Sequence, residues 1–396
     1  MMKPLNLFLL TFILATGFSF AQTFPPTPLV DQLREAEPGD VVTLGFSAGG
    51  TIPALNAAPN QFDVDGAKLL YSDDPETVDS YGILYRDSVI EGTHRVYAYH
   101  ANGGSEDARL AIIGVHNDIN TTRVLTRRIA LTTPTLNFSE AGRVVSELIQ
   151  TQGNFGAFID APAGEPVLLV PELEDLIIGP GELVSASVDV VARTSMTLTV
   201  VMTDTTTSTL NQFATLEKSP DDGLDREGTF DGLTKFNGIG LDYLTSGGIG
   251  RIRIADGQLT GDDPPLEGID AEDMSARTLR GNYGVRYNIA VIVTPQPNES
   301  VALLVNPRGG DYGGYLETRL AVSGGGGADD PVGVFVPLES GQVPTTTDAG
   351  VVRIMEEDDR FTLIIGFTPA GASSLPIDLL LVPFQTTGVS PGLATQ

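Results

Sequence analysis

Apolar residues recur along this chain in short runs, mostly with period two, and each run ends at a cluster of Gly, Pro, Asn or Asp. Runs of that length with β-branched and aromatic content fit pleated strands. In the first half the pattern predicts strands over 81–85, 94–100, 109–116, 122–130, 166–170, 183–192 and 196–203. In the second half it predicts them over 250–255, 283–293, 300–305, 314–322, 332–337, 350–355, 361–367 and 376–382. One segment has the other period: Ala141, Val144, Val145, Leu148 and Ile149 recur at helical spacing, with Ser139 placed to cap the helix and Gly153 to end it. Short strands at close intervals around one short helix predict an all-β protein with two β-sandwich-like domains.

Breaks in the pattern suggest the organisation. Residues 22–65 are polar and punctuated by proline, a lead-in with one short strand from Val41 that ends by Gly49-Gly50. A first β-rich domain covers 66–203. Residues 204–235 read as a linker or long loop, because Asp204-Thr-Thr-Thr-Ser-Thr and Asp221-Asp-Gly-Leu-Asp-Arg-Glu-Gly lack periodicity. A second domain, with a Gly324-Gly-Gly-Gly turn, covers 236–386, and 387–396 form a frayed tail. The clearest local signal is Asn102-Gly-Gly between the 94–100 and 109–116 runs, which predicts a β-hairpin because glycine adopts positive φ at little cost.

The N-terminus has its own pattern. Lys3 precedes an apolar run from Leu5 to Phe18, and Ser19-Phe20-Ala21 places small residues where a signal peptidase cuts. Residues 1–21 therefore read as a signal peptide cleaved before Gln22, which implies an extracytoplasmic protein of the periplasm, cell envelope or cell surface. No later run is long enough for a transmembrane segment. Cysteine is absent, so stability outside the cell must come from the core alone.

Charge narrows the partners. With 23 basic against 51 acidic residues the formal net charge is −28, which argues against nucleic acid and for cation-bridged contact with envelope or surface-layer proteins, self-association included.

Candidate chemistry is sparse. The three histidines, His94, His100 and His116, all fall in the predicted hairpin. Cross-turn pairing would set His94 opposite His116 on one face, about 5 Å apart. His94 and His116, completed by Asp118 or Asn117, thus form a candidate copper or zinc site, although plain surface histidines fit the same pattern. His100 shares their face but lies roughly 20 Å along the strand from His94. Four acidic loops are candidate calcium ligands: Ser72-Asp-Asp-Pro-Glu, Asp221-Asp-Gly-Leu-Asp, Asp270-Ala-Glu-Asp, and the loop bearing Asp256, Asp262 and Asp263, which is the best placed. Ordinary solvated loops are the competing reading. No Gly-x-Ser-x-Gly elbow is present, and 51 acidic residues single out no glycosidase pair. Tryptophan is absent, which leaves Tyr97, Tyr99, Tyr283 and Tyr287 as the aromatic residues for a sugar platform or for strand packing.

Five stretches carry a resemblance: Gly92-Thr-His-Arg-Val-Tyr-Ala-Tyr-His-Ala-Asn-Gly, Arg226-Glu-Gly-Thr-Phe, Gly281-Asn-Tyr-Gly-Val-Arg-Tyr, Leu304-Val-Asn-Pro-Arg-Gly-Gly and Leu375-Pro-Ile-Asp-Leu-Leu-Leu-Val-Pro. In these the chain resembles secreted bacterial copper amine oxidase-like envelope proteins. The resemblance implies a surface-associated β-protein, an accessory of a surface-layer or outer-envelope complex, with copper as its metal. Amine oxidation does not follow, since three copper-binding histidines and a quinone-forming tyrosine are not recognisable. The function expected from the sequence is a structural or binding role in the envelope. The alternative is a copper-dependent oxidoreductase of the superoxide dismutase kind, using the 94–116 histidines.

Overall fold

The computed structural model describes residues 23–48, 52, 54–55, 62–153, 155–256, 262–308, 310, 312–322, 329–336, 343, 345–357 and 359–385. Residues 1–21, expected to be a signal peptide, the expected Gly324 turn and residues 387–396 lie outside the described residues. Within them the protein is all-β, with strands in four sheets and a few helices. Each of the strands expected from periodicity forms, as do a short strand at Val41–Thr43 and the helix at Phe138–Thr151. The helix is capped by Asn137 in place of Ser139: its side-chain oxygen accepts from the Glu140 amide at 3.2 Å. No helix among the described residues is long and apolar enough to cross a membrane.

The central layer is a nine-stranded sheet in which Lys68–Ser72, Gly92–Asn102, Leu183–Ala192 and Thr122–Leu131 lie side by side. Even-numbered residues of Gly92–Asn102 and Leu183–Ala192, such as Val96, Ala98, Val184 and Val188, pack against a four-stranded sheet that contributes Leu110, Ile112, Leu198 and Val200. The central sheet's odd-numbered Tyr71, Tyr97 and Tyr99 face the other way, into a larger core shared with Ala141, Val145 and Ile149 of the helix and with Tyr287, Ile289 and Phe367. A sheet covered on both faces explains why Gly92–Asn102 is buried along nearly its whole length.

One expectation, the hairpin, is corrected here, and two others gain structural detail. The predicted hairpin does not pair with itself: Gly92–Asn102 pairs with Leu183–Ala192 and Lys68–Ser72, while Ala108–His116 pairs with Met196–Asp204 in the facing sheet. The Asn102-Gly-Gly reversal carries the chain from one sheet to the other. Asn102 holds it there, donating to the carbonyls of Glu106 and Ile178, both at 2.8 Å, and accepting from the Gly104 amide at 3.0 Å.

The division at 204–235 is also bridged. Gly228–Asp231 pairs with Lys68–Ser72, and Leu266–Ile269 and Ala276–Leu279 continue the same sheet, so one sheet draws strands from both halves of the chain. A short strand between glycine-rich and aspartate-rich loops carries too little periodicity to stand out, and its register is fixed by Phe230 in the shared core.

Residues 22–65 are more than a lead-in. Thr27–Glu35 forms a helix, and its Leu29 and Leu33 pack with Leu44 against the Val42, Ala302, Leu304, Leu380 and Val382 face of a five-stranded sheet. Pro28 sits in its first turn, where a missing amide hydrogen costs nothing.

Candidate functional site

The histidines occupy three separate settings. His94 lies beside Val190 in the central sheet, and His116 lies beside Met196 in the facing one, so the side-by-side metal pair expected from a hairpin does not form. His94 donates from Nε2 to the Ile90 carbonyl at 2.9 Å, and burial lowers its pKa. His116 Nε2 is 2.5 Å from Thr194 Oγ1 and 3.9 Å from Asp118 Oδ2; this is the part of the proposed ligand set that the fold keeps together.

His100 is fully enclosed. Its Nδ1 faces the Pro75 carbonyl at 2.8 Å, which can only accept, so Nδ1 carries the hydrogen and Nε2 takes the Ser72 hydroxyl at 2.9 Å. Neither nitrogen is left for a metal. Burial pushes its pKa down to about 4. Because the unfolded value is near 6.5, the unfolded chain binds the extra proton between those two pH values. Stability contributed by neutral His100 is full above about pH 6.5 and is lost as pH falls through 4. The expected loss is about 3 kcal/mol, read as the difference between denaturant unfolding at neutral and acid pH. An His100→Asn variant, which keeps the hydrogen bond to Pro75, should lose that component of the slope.

The three aspartates of the candidate calcium loop, Asp256, Asp262 and Asp263, each have a basic side chain beside them. Asp256 is held by Arg308 at 3.0 Å and Arg253 at 3.5 Å, and Asp262 pairs with Arg253. Asp263 takes Lys235 at 2.7 Å, the Tyr287 hydroxyl at 2.7 Å and the Ala255 amide at 2.6 Å. Burying a carboxylate is costly unless a cation matches it, and arginine and lysine supply positive charge at these three. Residues 257–261 of that loop lie outside the described residues. Among the described residues no three His, Cys, Asp or Glu side chains converge to hold a metal ion.

The other three acidic loops are tied together by basic side chains, and two of them, through Asp73 and residues 223–225, line a cleft of about 680 Å³. Lys218 gathers Asp221 at 3.3 Å and Glu272 at 3.2 Å, Arg277 binds Asp270 at 2.8 Å and Asp225 at 3.4 Å, and Arg226 binds Glu76 at 2.8 Å as well as Asp222. The volume lies within the roughly 300–1,000 Å³ typical of small-ligand sites. Its walls are Tyr71, Phe230, Leu279, Tyr283 and Leu375, with Arg280 exposed at the rim. Tyr71 stacks on Tyr97 at 5.3 Å between centroids, and Tyr283 is pinned by its hydroxyl on the Ser373 carbonyl at 2.8 Å. Gly281 makes room for that ring: its φ is +87°, and a Cβ there would lie 2.7 Å from Tyr283 Cε2.

Asp73 stands at the inner end of this cleft and is only 7% exposed. Its Oδ2 accepts from the Tyr71 hydroxyl at 3.2 Å and is 4.0 Å from Arg226, whereas its buried Oδ1 has no hydrogen-bond partner among the described residues. Burial raises its pKa well above the ordinary carboxylate range, and Arg226 opposes that only in part. A polar atom left this way costs about 1–3 kcal/mol until something bonds to it.

Tyr283 is the one residue of the expected aromatic set that lines the cleft, since Tyr97, Tyr99 and Tyr287 are packed in the core. Tyr71, Asp73 and Phe230 were not legible as a unit, because they meet only through the pairing of Lys68–Ser72 with Gly228–Asp231. Arg226, Phe230, Gly281, Tyr283 and Leu375 all come from stretches that carry the resemblance noted above. No protein-family model matches the chain, and the comparison with curated proteins found no match.

Proposed function

We propose that this chain is an exported cell-envelope protein whose work is binding, and that the cleft at Asp73 is where it binds. The observation that carries the reading is the aromatic-walled cleft itself, which has the buried carboxyl of Asp73 and the side chains of Arg226, Arg277 and Arg280 in its lining. Export is supported by the leader of residues 1–21, and contact with a surface-layer or outer-envelope partner by the net charge of −28. Acidic surfaces approach one another through divalent cations such as calcium, so envelope association is expected to be chelator-sensitive.

The test is fractionation of the producing cell with the N-terminus of the recovered protein sequenced. Expected are a mature chain starting at Gln22, recovery in the envelope or medium, and release from envelope material by a chelator of divalent cations. Retention in the cytoplasm with residues 1–21 attached would overturn the envelope reading.

A further inference from the structure

We infer that Lys235 and Asp263 join through their side chains in an amide bond, Nζ to Cγ, with loss of one water, which gives this cysteine-free chain a covalent tie of another kind.

The choice of cation is the first observation. Three other buried carboxylates are met by arginine: Asp189 by Arg95, Asp256 by Arg308 and Asp378 by Arg251. Asp263 is met by one of the chain's four lysines, and Lys235 is the only fully buried lysine among the described residues. An amine becomes a nucleophile once it gives up a proton, whereas a guanidinium keeps its own in a protein.

The geometry is the second. Nζ lies 2.7 Å from Asp263 Oδ1, with 3% and 0% of the two side chains exposed. One further C–O bond of about 1.2 Å places Cγ within about 4 Å of Nζ, close to the roughly 3–3.5 Å of reacting atoms poised for attack. The other oxygen, Oδ2, accepts from the Tyr287 hydroxyl at 2.7 Å and the Ala255 amide at 2.6 Å. Asn282 donates to the Tyr287 hydroxyl at 2.8 Å and so turns its hydrogen toward Oδ2. These two donors polarise the carboxyl and receive the charge that Oδ2 gains during attack.

The step balances without another reactant. The ammonium passes one proton to Oδ1, leaving a neutral amine beside a carboxylic acid and removing two charges from a buried site. The amine lone pair attacks Cγ while the C=O pair moves to Oδ2. When that pair returns, the Cγ–Oδ1 bond breaks, and Oδ1 leaves as water with its own proton and one from Nζ. Fixing the two groups together supplies the effective concentration that a free amine and acid lack in water. The product also suits its surroundings: Lys235 donates to the Pro264 carbonyl, for which the amide keeps one N–H, and Oδ2 keeps Tyr287 and Ala255. Lys235 is on Thr234–Phe236, and Asp263 is between Gly250–Ile254 and Leu266–Ile269, so the bond links strands of three sheets.

The test is mass spectrometry of the denatured full chain, followed by a tryptic map. The protein is expected to be one water lighter than its sequence requires from the observed N-terminus. Trypsin passes an acylated lysine, so the map should contain a branched peptide joining residues 227–251 to residues 254–277 through Lys235 and Asp263. Lys235→Arg, which retains the ion pair, is expected to have the full mass. The inference is overturned if the wild-type chain has its full mass, if the loss falls in a linear peptide, as ring closure at Asp222-Gly223 or Asp256-Gly257 would give, or if Lys235→Arg is still one water light. The wild-type map decides by itself, so a Lys235→Arg chain that does not fold leaves the test intact. Cell fractionation judges the envelope reading separately.

Discussion

Replacing Asp189 with alanine is expected to destabilise the protein by about 3–5 kcal/mol. Asp189 is directly across the strand pair from Arg95, and both are almost completely buried. Its Oδ1 takes Arg95 Nε at 2.7 Å and its Oδ2 takes Arg128 at 3.3 Å. A third arginine, Arg286, lies close enough that burial and the charges of Arg128 and Arg95 together lower its pKa. Removing the one carboxylate leaves a buried cluster of positive charge with few acceptors. Arg95 would retain only its bond to the Gly284 carbonyl, at 2.8 Å. That bond also ties the central sheet to the 280–284 turn that carries Tyr283, so cleft function should fall with stability. Equilibrium unfolding in urea measures the loss. The double replacement Arg95→Met, Asp189→Leu should recover a large part of it, because a buried ion pair and an apolar pair of similar volume are often close in stability. A double variant as unstable as Asp189→Ala alone would show that the pair is needed for more than mutual neutralisation.

Gly142→Ala should destabilise by about 2–3 kcal/mol, the opposite of the usual sign. In an ordinary helix interior this change gains about 1 kcal/mol. Here the helix Phe138–Thr151 lies flush on the segment ending at Gly371, and a Cβ at Gly142 would sit 2.0 Å from the Gly371 carbonyl oxygen. Neither side has room to give. Gly371 is itself pressed against Tyr99, where a Cβ would lie 2.9 Å from the ring. On the same helix stripe Ser146 bonds the Thr368 carbonyl at 2.7 Å and Gln150 bonds the Thr368 hydroxyl at 2.5 Å, so the helix cannot slide away without breaking both. Gly66→Ala, in open space, is the control that should move the unfolding midpoint little. A stabilised Gly142→Ala would mean that the helix stands off the 368–371 segment in solution.

These two sites show where local pattern stops being informative. Gly142 reads as a weak spot in a helix until its neighbour, more than two hundred residues later, is known. Asp189 reads as a polar interruption in the strand 183–192 until Arg95 is seen opposite. The cleft follows the same rule. Tyr71, Arg226, Arg277 and Tyr283 come from four separate segments, and each alone looks like an ordinary strand or loop residue. Acidity made three of the acidic loops visible, but their purpose depends on Lys218, Arg226 and Arg277, which hold them.

The alternation of apolar and polar positions determined the all-β class, the positions of the main strands and the one long helix, because strand and helix periods are set by the backbone within a few residues. Composition determined that no disulfide supports the fold and that its surface is strongly acidic. Only the tertiary structure decided which strand pairs with which. The Asn102-Gly-Gly reversal is compatible with a hairpin or a crossing between sheets, and the choice fell to the even-numbered apolar face of Gly92–Asn102, which packs against the facing sheet while its odd-numbered tyrosines pack behind it. That choice separated His94 from His116, while the pairing of Lys68–Ser72 with Gly228–Asp231 joined the two halves of the chain in one sheet and placed Asp73 in the lining of a cleft.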